Sequence, residues 1–305
     1  MFRKCMSLFL GLLMVLSMTG AVAETAVTVT DMTGREITLT EPATRIVALT
    51  ASDCEILYAL GAGDLLVGRG EYCDYPEAVL ALPTVQSGAE TNIEQIKALE
   101  PQVVLMATMA QTTEQVEALE NAGIHVVVSD AQNIEGIYQA IEMIGALVGK
   151  TAEAETLTAS MKDTFAAVSE ASVETGKTVY FEVSPLQWGL WTAGKGTFMD
   201  ELAGMCGLTN VFADVDGWAS ISEEQVLARN PDYIVTTTMY FGEGPTPVEE
   251  ITSRPGWENL KAVTSGQVFN ADYNEITRPG PRLMNAVQSL FDFVQEHEAS
   301  LEPAA

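Results

Sequence analysis

The chain has 305 residues, with 42 Asp and Glu against 15 Lys and Arg, for a formal charge of −27. That length, with 47% hydrophobic and 19% charged residues, supports one large or two medium cores and excludes a disordered chain. The acidity argues against nucleic acid or an anionic membrane surface as partner, because both would be repelled. His125 and His297, the two histidines, leave little imidazole for metal chemistry.

Residues 1–23 read as an export leader. Arg3 and Lys4 precede an uncharged run of 13 residues at 6–18, and Ala21-Val22-Ala23 gives a small-x-small cleavage pattern. The run falls short of the roughly 20 residues a membrane-spanning helix needs. Cys5 precedes the run, so it is not the lipid-carrying cysteine that follows a lipoprotein leader. The expected mature protein is soluble, exported and periplasmic, and does not span the membrane after cleavage. Removal of the leader leaves a charge of −29 and the cysteines Cys54, Cys73 and Cys206. An odd number in an oxidising compartment permits one bridge at most, and Cys54–Cys73 is one pairing to consider.

Alternation over 27–31 and 35–39, with Met32-Thr33-Gly34 between, predicts a hairpin. Short β-branched runs at 45–49, 65–68, 103–108 and 125–129 then predict strands. Helical patterns lie between them near 53–60, 94–99, 113–122 and 134–148. A longer helix is expected over 152–172, with Leu157, Met161, Phe165 and Val168 in one apolar stripe. Strands follow at 178–183, 233–238 and 268–271, and a last helix at about 282–298. The reading is α/β: two Rossmann-like α/β lobes joined by a single long bridging helix. It divides the chain into leader 1–23, N-terminal lobe 24–148, bridge 149–175 and C-terminal lobe 176–305. An internal repeat agrees: residues 94–108 align without gaps to 224–238 at an offset of 130, sharing Glu, Gln, Ala, Pro and the final Thr. Each copy reads as helix, proline stop and buried strand.

No nucleophile elbow, phosphate-binding loop or dinucleotide fingerprint is present, and His125, placed in a buried strand, has no nucleophile beside it. The cysteines lack metal-ligand spacing. No catalytic residue, cofactor or metal site is expected. Aromatic residues gather instead at loops flanking the strands: Tyr72 and Tyr75, Trp188 and Trp191, Trp218, Tyr240 and Phe241, and Tyr273. Ligands of open α/β sheets bind beyond the carboxyl ends of strands, and flat rings suit a large, partly apolar ligand. Arg278 and Arg282, in RPGPR, add two cations on a constrained loop, able to grip carboxylate, phosphate or amide oxygens or to make a salt bridge at the helix start.

Several segments together resemble a family: 45–61 (RIVALTASDCEILYALG), 70–76 (GEYCDYP), 92–101 (NIEQIKALEP), 192–195 (TAGK), 218–231 (WASISEEQVLARNP) and 278–282 (RPGPR). The set resembles the substrate-binding proteins of ABC importers for cobalamin, ferric siderophores and haem, over about 27–297. The resemblance implies a receptor, not an enzyme, that captures a corrinoid or ferric-siderophore ligand between its lobes. It would deliver that ligand to an ABC permease and its ATPase. A haem receptor is the alternative within the family; an exported enzyme or a sensor using the same cleft are alternatives outside it. By the same resemblance, ligand contacts fall on Tyr72, Trp191, Trp218, Asp272 and Arg278, and permease docking on Glu94 and Glu224. The sequence departs from the family's cobalamin binder at Gly88, where that protein carries a large aromatic, which implies an open wall.

Overall fold

The computed structural model describes residues 26–301 apart from 89 and 109–111, so the expected leader lies outside the described residues. The alternating Val-Thr-Val-Thr forms β1 (Val27–Thr30), antiparallel to β2 (Glu36–Leu39), with Val29, Ile37 and Leu39 turned into the core. Asp31 holds the turn. Its carboxylate accepts the amides of Thr33 and Arg35, and that of Val128 from the neighbouring sheet.

The chain then alternates through β3 (Ile46–Ala48), α1 (Ala51–Ala59), β4 (Leu66–Gly70), β5 (Thr84–Val85), α2 (Ile93–Ala98), β6 (Val103–Met106), α3 (Thr113–Asn121), β7 (His125–Val128) and α4 (Ile134–Leu147). Its strands make one parallel sheet in the order β5-β4-β3-β6-β7. β3 and β6 are buried at every residue, as strands covered by helices on both faces must be. His125 differs from expectation: it opens β7 at the sheet's edge and is exposed, so the buried positions are Val126 to Val128.

The bridge is α5 (Thr151–Ala171), 21 residues and so roughly 30 Å long. Met161, Phe165 and Val168 are buried along one stripe with Ala154, and Leu157 is half-buried at its edge. This stripe sits in a core shared by both lobes, against residues such as Ile144 and Leu202. Burial of that shared apolar surface is what fixes the lobes to the helix.

The second lobe runs β8 (Thr178–Glu182), β9 (Trp191–Ala193), α6 (Phe198–Met205), β10 (Thr209–Asn210), β11 (Trp218–Ser220), α7 (Glu223–Arg229), β12 (Tyr233–Thr236), α8 (Pro247–Thr252), α9 (Lys261–Thr264), β13 (Val268–Asn270), α10 (Tyr273–Ile276) and α11 (Leu283–Leu301). A parallel sheet has the order β10-β8-β12-β13, and β9 pairs antiparallel with β11. The molecule is thus α/β, with two parallel sheets in two lobes. No helix among the described residues is long and apolar enough to cross a membrane.

The repeat has a structural counterpart. α2 with β6 and α7 with β12 are the same unit, each strand lying one in from a sheet edge. The described non-glycine residues with positive φ are Glu100 (48°) and Asn230 (44°), the same position in the two copies. Each ends its helix in the left-handed region directly before a proline, which cannot continue a helix.

Candidate functional site

Every parallel strand of the first sheet runs toward one cleft, and so do the main strands of the second. Thr50 and Ser52 follow β3, Tyr72 and Asp74 follow β4, Gly88 follows β5, and Ser129 and Asp130 follow β7. From the other lobe come Ser184 after β8, Trp191 on β9, Trp218 on β11, Met239 after β12, and Tyr273 and Arg278 after β13. The cleft between them measures about 1040 Å³, at the top of the roughly 300–1,000 Å³ usual for small-molecule sites.

Four of the five expected ligand residues meet here. Tyr72 is 77% exposed and Trp191 44%, rings left open to the cleft. Trp218 is half-buried. Its indole Nε1 donates to Gln132 Oε1 at 2.9 Å across the lobes, and its ring lies 5.3 Å from that of Phe198. The floor is therefore stitched from both lobes, since the Phe198 amide also donates to the Gln132 carbonyl at 2.9 Å. Asp272 is not in the cleft: its side chain caps α10 by accepting the Glu275 amide at 3.1 Å, and the neighbouring Tyr273 lines the wall instead. Trp188, Tyr240 and Phe241 are exposed outside the lining.

Arg278 lines the cleft already engaged. Its Nη1 donates to Glu55 Oε1 at 2.9 Å and to Asp74 Oδ1 at 2.6 Å, and its Nη2 to the Tyr72 carbonyl at 3.3 Å. Arg282 grips the same Glu55 through Nε and Nη2, at 2.9 and 2.7 Å, and lies 4.2 Å over the Tyr75 ring. Both cations belong to the second lobe, while Glu55, Asp74, Tyr72 and Tyr75 belong to the first. Burial raises the Asp74 carboxyl, but the hydrogen bond and charge of Arg278, with a backbone hydrogen bond and the charge of Arg282, together outweigh it and hold the group below its ordinary range.

Sequence reasoning missed the acids of this site. Glu55 and Asp53 sit on α1 with nothing in their local sequence to single them out, and both are buried. Burial pushes Asp53 up to about 6, against hydrogen bonds from Thr50 and Ser129 that lower it, and the charge of Asp130 adds to the rise. Its Oδ1 has no partner. Arg278 is the one cation among the described lining residues, against Glu71, Asp74 and Asp130. The Gly88 wall is open: a Cβ there would meet nothing within 4 Å, and at φ +94° the backbone itself resists any side chain.

Glu94 and Glu224 stand at the second residue of α2 and α7, away from the cleft. Glu94 is 81% exposed and paired with Lys97 at 2.9 Å. The Ser222 hydroxyl and the backbone hold Glu224 below its ordinary value. Cys54, Cys73 and Cys206 are all free and buried.

Residues 46–274 match the family described as "Periplasmic binding protein". The chain belongs to that family. It is 34% identical over 275 residues to YvrC of Bacillus subtilis, an uncharacterized ABC transporter substrate-binding lipoprotein, with 88% of this chain and 85% of YvrC covered. It is 30% identical over 267 residues to a cobalamin-binding protein of Halobacterium salinarum, covering 85% of this chain and 71% of that one. Among solved structures, the periplasmic vitamin B12 binding protein BtuF of Vibrio cholerae aligns with TM-score 0.70 at 25% identity, over 84% of this chain and 98% of that one. The protein is an extracytoplasmic solute-binding component of an ABC importer, a transport protein and not an enzyme.

Proposed function

We propose that this receptor captures a corrinoid in the interlobe cleft and delivers it to an ABC permease powered by its ATPase. The observation that carries the reading is a large cleft with aromatic rings from both lobes and no uncommitted cation among its described residues. Haem brings two propionates and triscatecholate ferric siderophores a net negative charge. Against Glu71, Asp74 and Asp130, with Arg278 held by Glu55 and Asp74, such ligands meet repulsion. A corrinoid offers a flat apolar face for Tyr72, Trp191 and Trp218 and a rim of neutral carboxamides for Ser52, Ser184 and Thr277. The cobalamin-binding relative supports the same choice.

In this reading Tyr72, Trp191 and Trp218 touch the ligand, Arg278 faces it while holding Tyr72 and Asp74 in place, and Asp272 shapes the wall through α10. Glu94 and Glu224, equivalent by the repeat, present one carboxylate per lobe to permease arginines. We also place the mature protein, soluble, in a periplasm, because Cys5 stands before the apolar run at 6–18. Recovery in the osmotic-shock fluid tests that location; retention in the membrane fraction overturns it.

Equilibrium binding of cyanocobalamin, haemin and a ferric trishydroxamate, at low and high salt, tests the ligand. Saturable 1:1 binding of the corrinoid, insensitive to salt, is the expected result. Preference for haemin, weakening with salt, would show a cation in the site and overturn the assignment.

A further inference from the structure

The loop at 71–76 forms one wall of the cleft: Glu71, Tyr72 and Asp74 line it, and Tyr75 lies under Arg282. Cys73 sits in the middle of that loop and turns the other way, into the core, with no exposed surface. Cys54 lies on α1 between Asp53 and Glu55 and is equally buried. Both thiols converge on one acceptor, the Ala48 carbonyl at the end of β3, at 3.9 Å for Cys54 and 3.7 Å for Cys73. Cys206 is remote from the pair, donating to the Val287 carbonyl at 3.7 Å in the second lobe.

We propose that Cys54 and Cys73 are joined by a disulfide in the exported protein, and that this bond ties the aromatic loop at 71–76 to α1. The bond forms between the two sulfurs as each loses its proton. The two electrons pass to a disulfide of the compartment's thiol-oxidising machinery, which leaves as two thiols. Exchange takes place while the lobe is still open, because in the folded chain both sulfurs are covered. The Cys73 neighbour and burial also hold the Cys54 thiol far above its ordinary range, so Cys54 in the folded, reduced protein offers no thiolate to attack an oxidant. The bond closes a ring of 20 residues, 54–73, and so restricts Tyr72 and Asp74 before any ligand arrives. A wall ordered in advance loses less entropy on binding.

The test uses mature protein secreted into an oxidising compartment. It is alkylated with iodoacetamide in denaturant without reductant, then digested and weighed. The expected product carries alkyl on Cys206 alone and yields a Cys54–Cys73 linked peptide lighter by two hydrogens than its separate halves. Alkylation of all three cysteines, or a link to Cys206, would overturn the proposal. Amide hydrogen exchange gives the second readout and needs no ligand. Reduction should speed exchange across 71–76 in the wild type and change nothing in a Cys54→Ser, Cys73→Ser double variant. A linked peptide with unchanged exchange on reduction would overturn the tethering role.

Discussion

Glu55 is the point on which the interlobe contact turns, and replacing it with alanine has a calculable effect. The carboxylate side chain is 2% exposed, and it accepts three charge-assisted hydrogen bonds of 2.7–2.9 Å from Arg278 and Arg282. Glu55→Ala leaves two guanidinium groups, 9% and 14% exposed, facing each other without their shared anion. Removing one member of a buried pair costs about 3–5 kcal/mol. Here Arg278 keeps Asp74 and the Tyr72 carbonyl, and Arg282 keeps the Asn274 carbonyl and the Tyr75 ring, which places the loss near the lower end, ~3 kcal/mol. For a chain of this size that corresponds to a fall in Tm of roughly 5 °C. Urea unfolding and thermal melting followed by circular dichroism read it directly. Glu120→Ala is the control: its pair with Arg35 is 34% and 49% exposed, so its loss should stay within about 0.5 kcal/mol. If Glu55→Ala costs no more than Glu120→Ala, the network is a solvated surface pair and the reasoning fails.

Asp53 gives a pH signature. Its folded-state value, about 6 against an ordinary 3.8, means that the proton stabilises the fold. The contribution is complete below about pH 4 and is lost as pH rises through 6, by ~3 kcal/mol for a shift of this size. Relative to Asp53→Asn, the wild type should lose stability between pH 4 and 7; a difference that does not change with pH would refute the burial argument. Gly88→Ala should cost about 1 kcal/mol in urea unfolding despite the open space around it, because φ +94° strains any side chain; an unchanged midpoint would show that the loop relaxes. Glu94→Ala combined with Glu224→Ala should abolish delivery through the permease in reconstituted vesicles while leaving ligand affinity within a few-fold. Loss of affinity would merge the two roles.

The order of elements could be read from the chain because buried strands and amphipathic helices repeat at fixed periods. The bridging helix, expected at 152–172, spans Thr151–Ala171, and the last helix, expected from 282, begins at Leu283. Pieces too short to show a period escaped: β9 and β11 have three residues each and read as loops. The aromatic wall was visible as a cluster of rings beside strand ends. Its ionic frame was not, since nothing local to Glu55 reports that Arg278, 223 residues away, folds back to meet it. Asp272 is ambiguous in sequence for a related reason: an aspartate before a helix serves equally as a cap or as a contact, and the fold shows its side chain capping α10.

The account stands on the cleft as a corrinoid site, and intrinsic fluorescence tests it most directly. Mature protein, 24–305, titrated with cyanocobalamin should be quenched to saturation at 1:1. Trp191→Phe and Trp218→Phe should each remove part of that quench, since both rings line the cleft, while Trp257→Phe, with its ring fully buried beneath the second sheet, should leave the ligand-induced change intact. Folded protein that shows no saturable quench, or a quench indifferent to both cleft tryptophans, would contradict it.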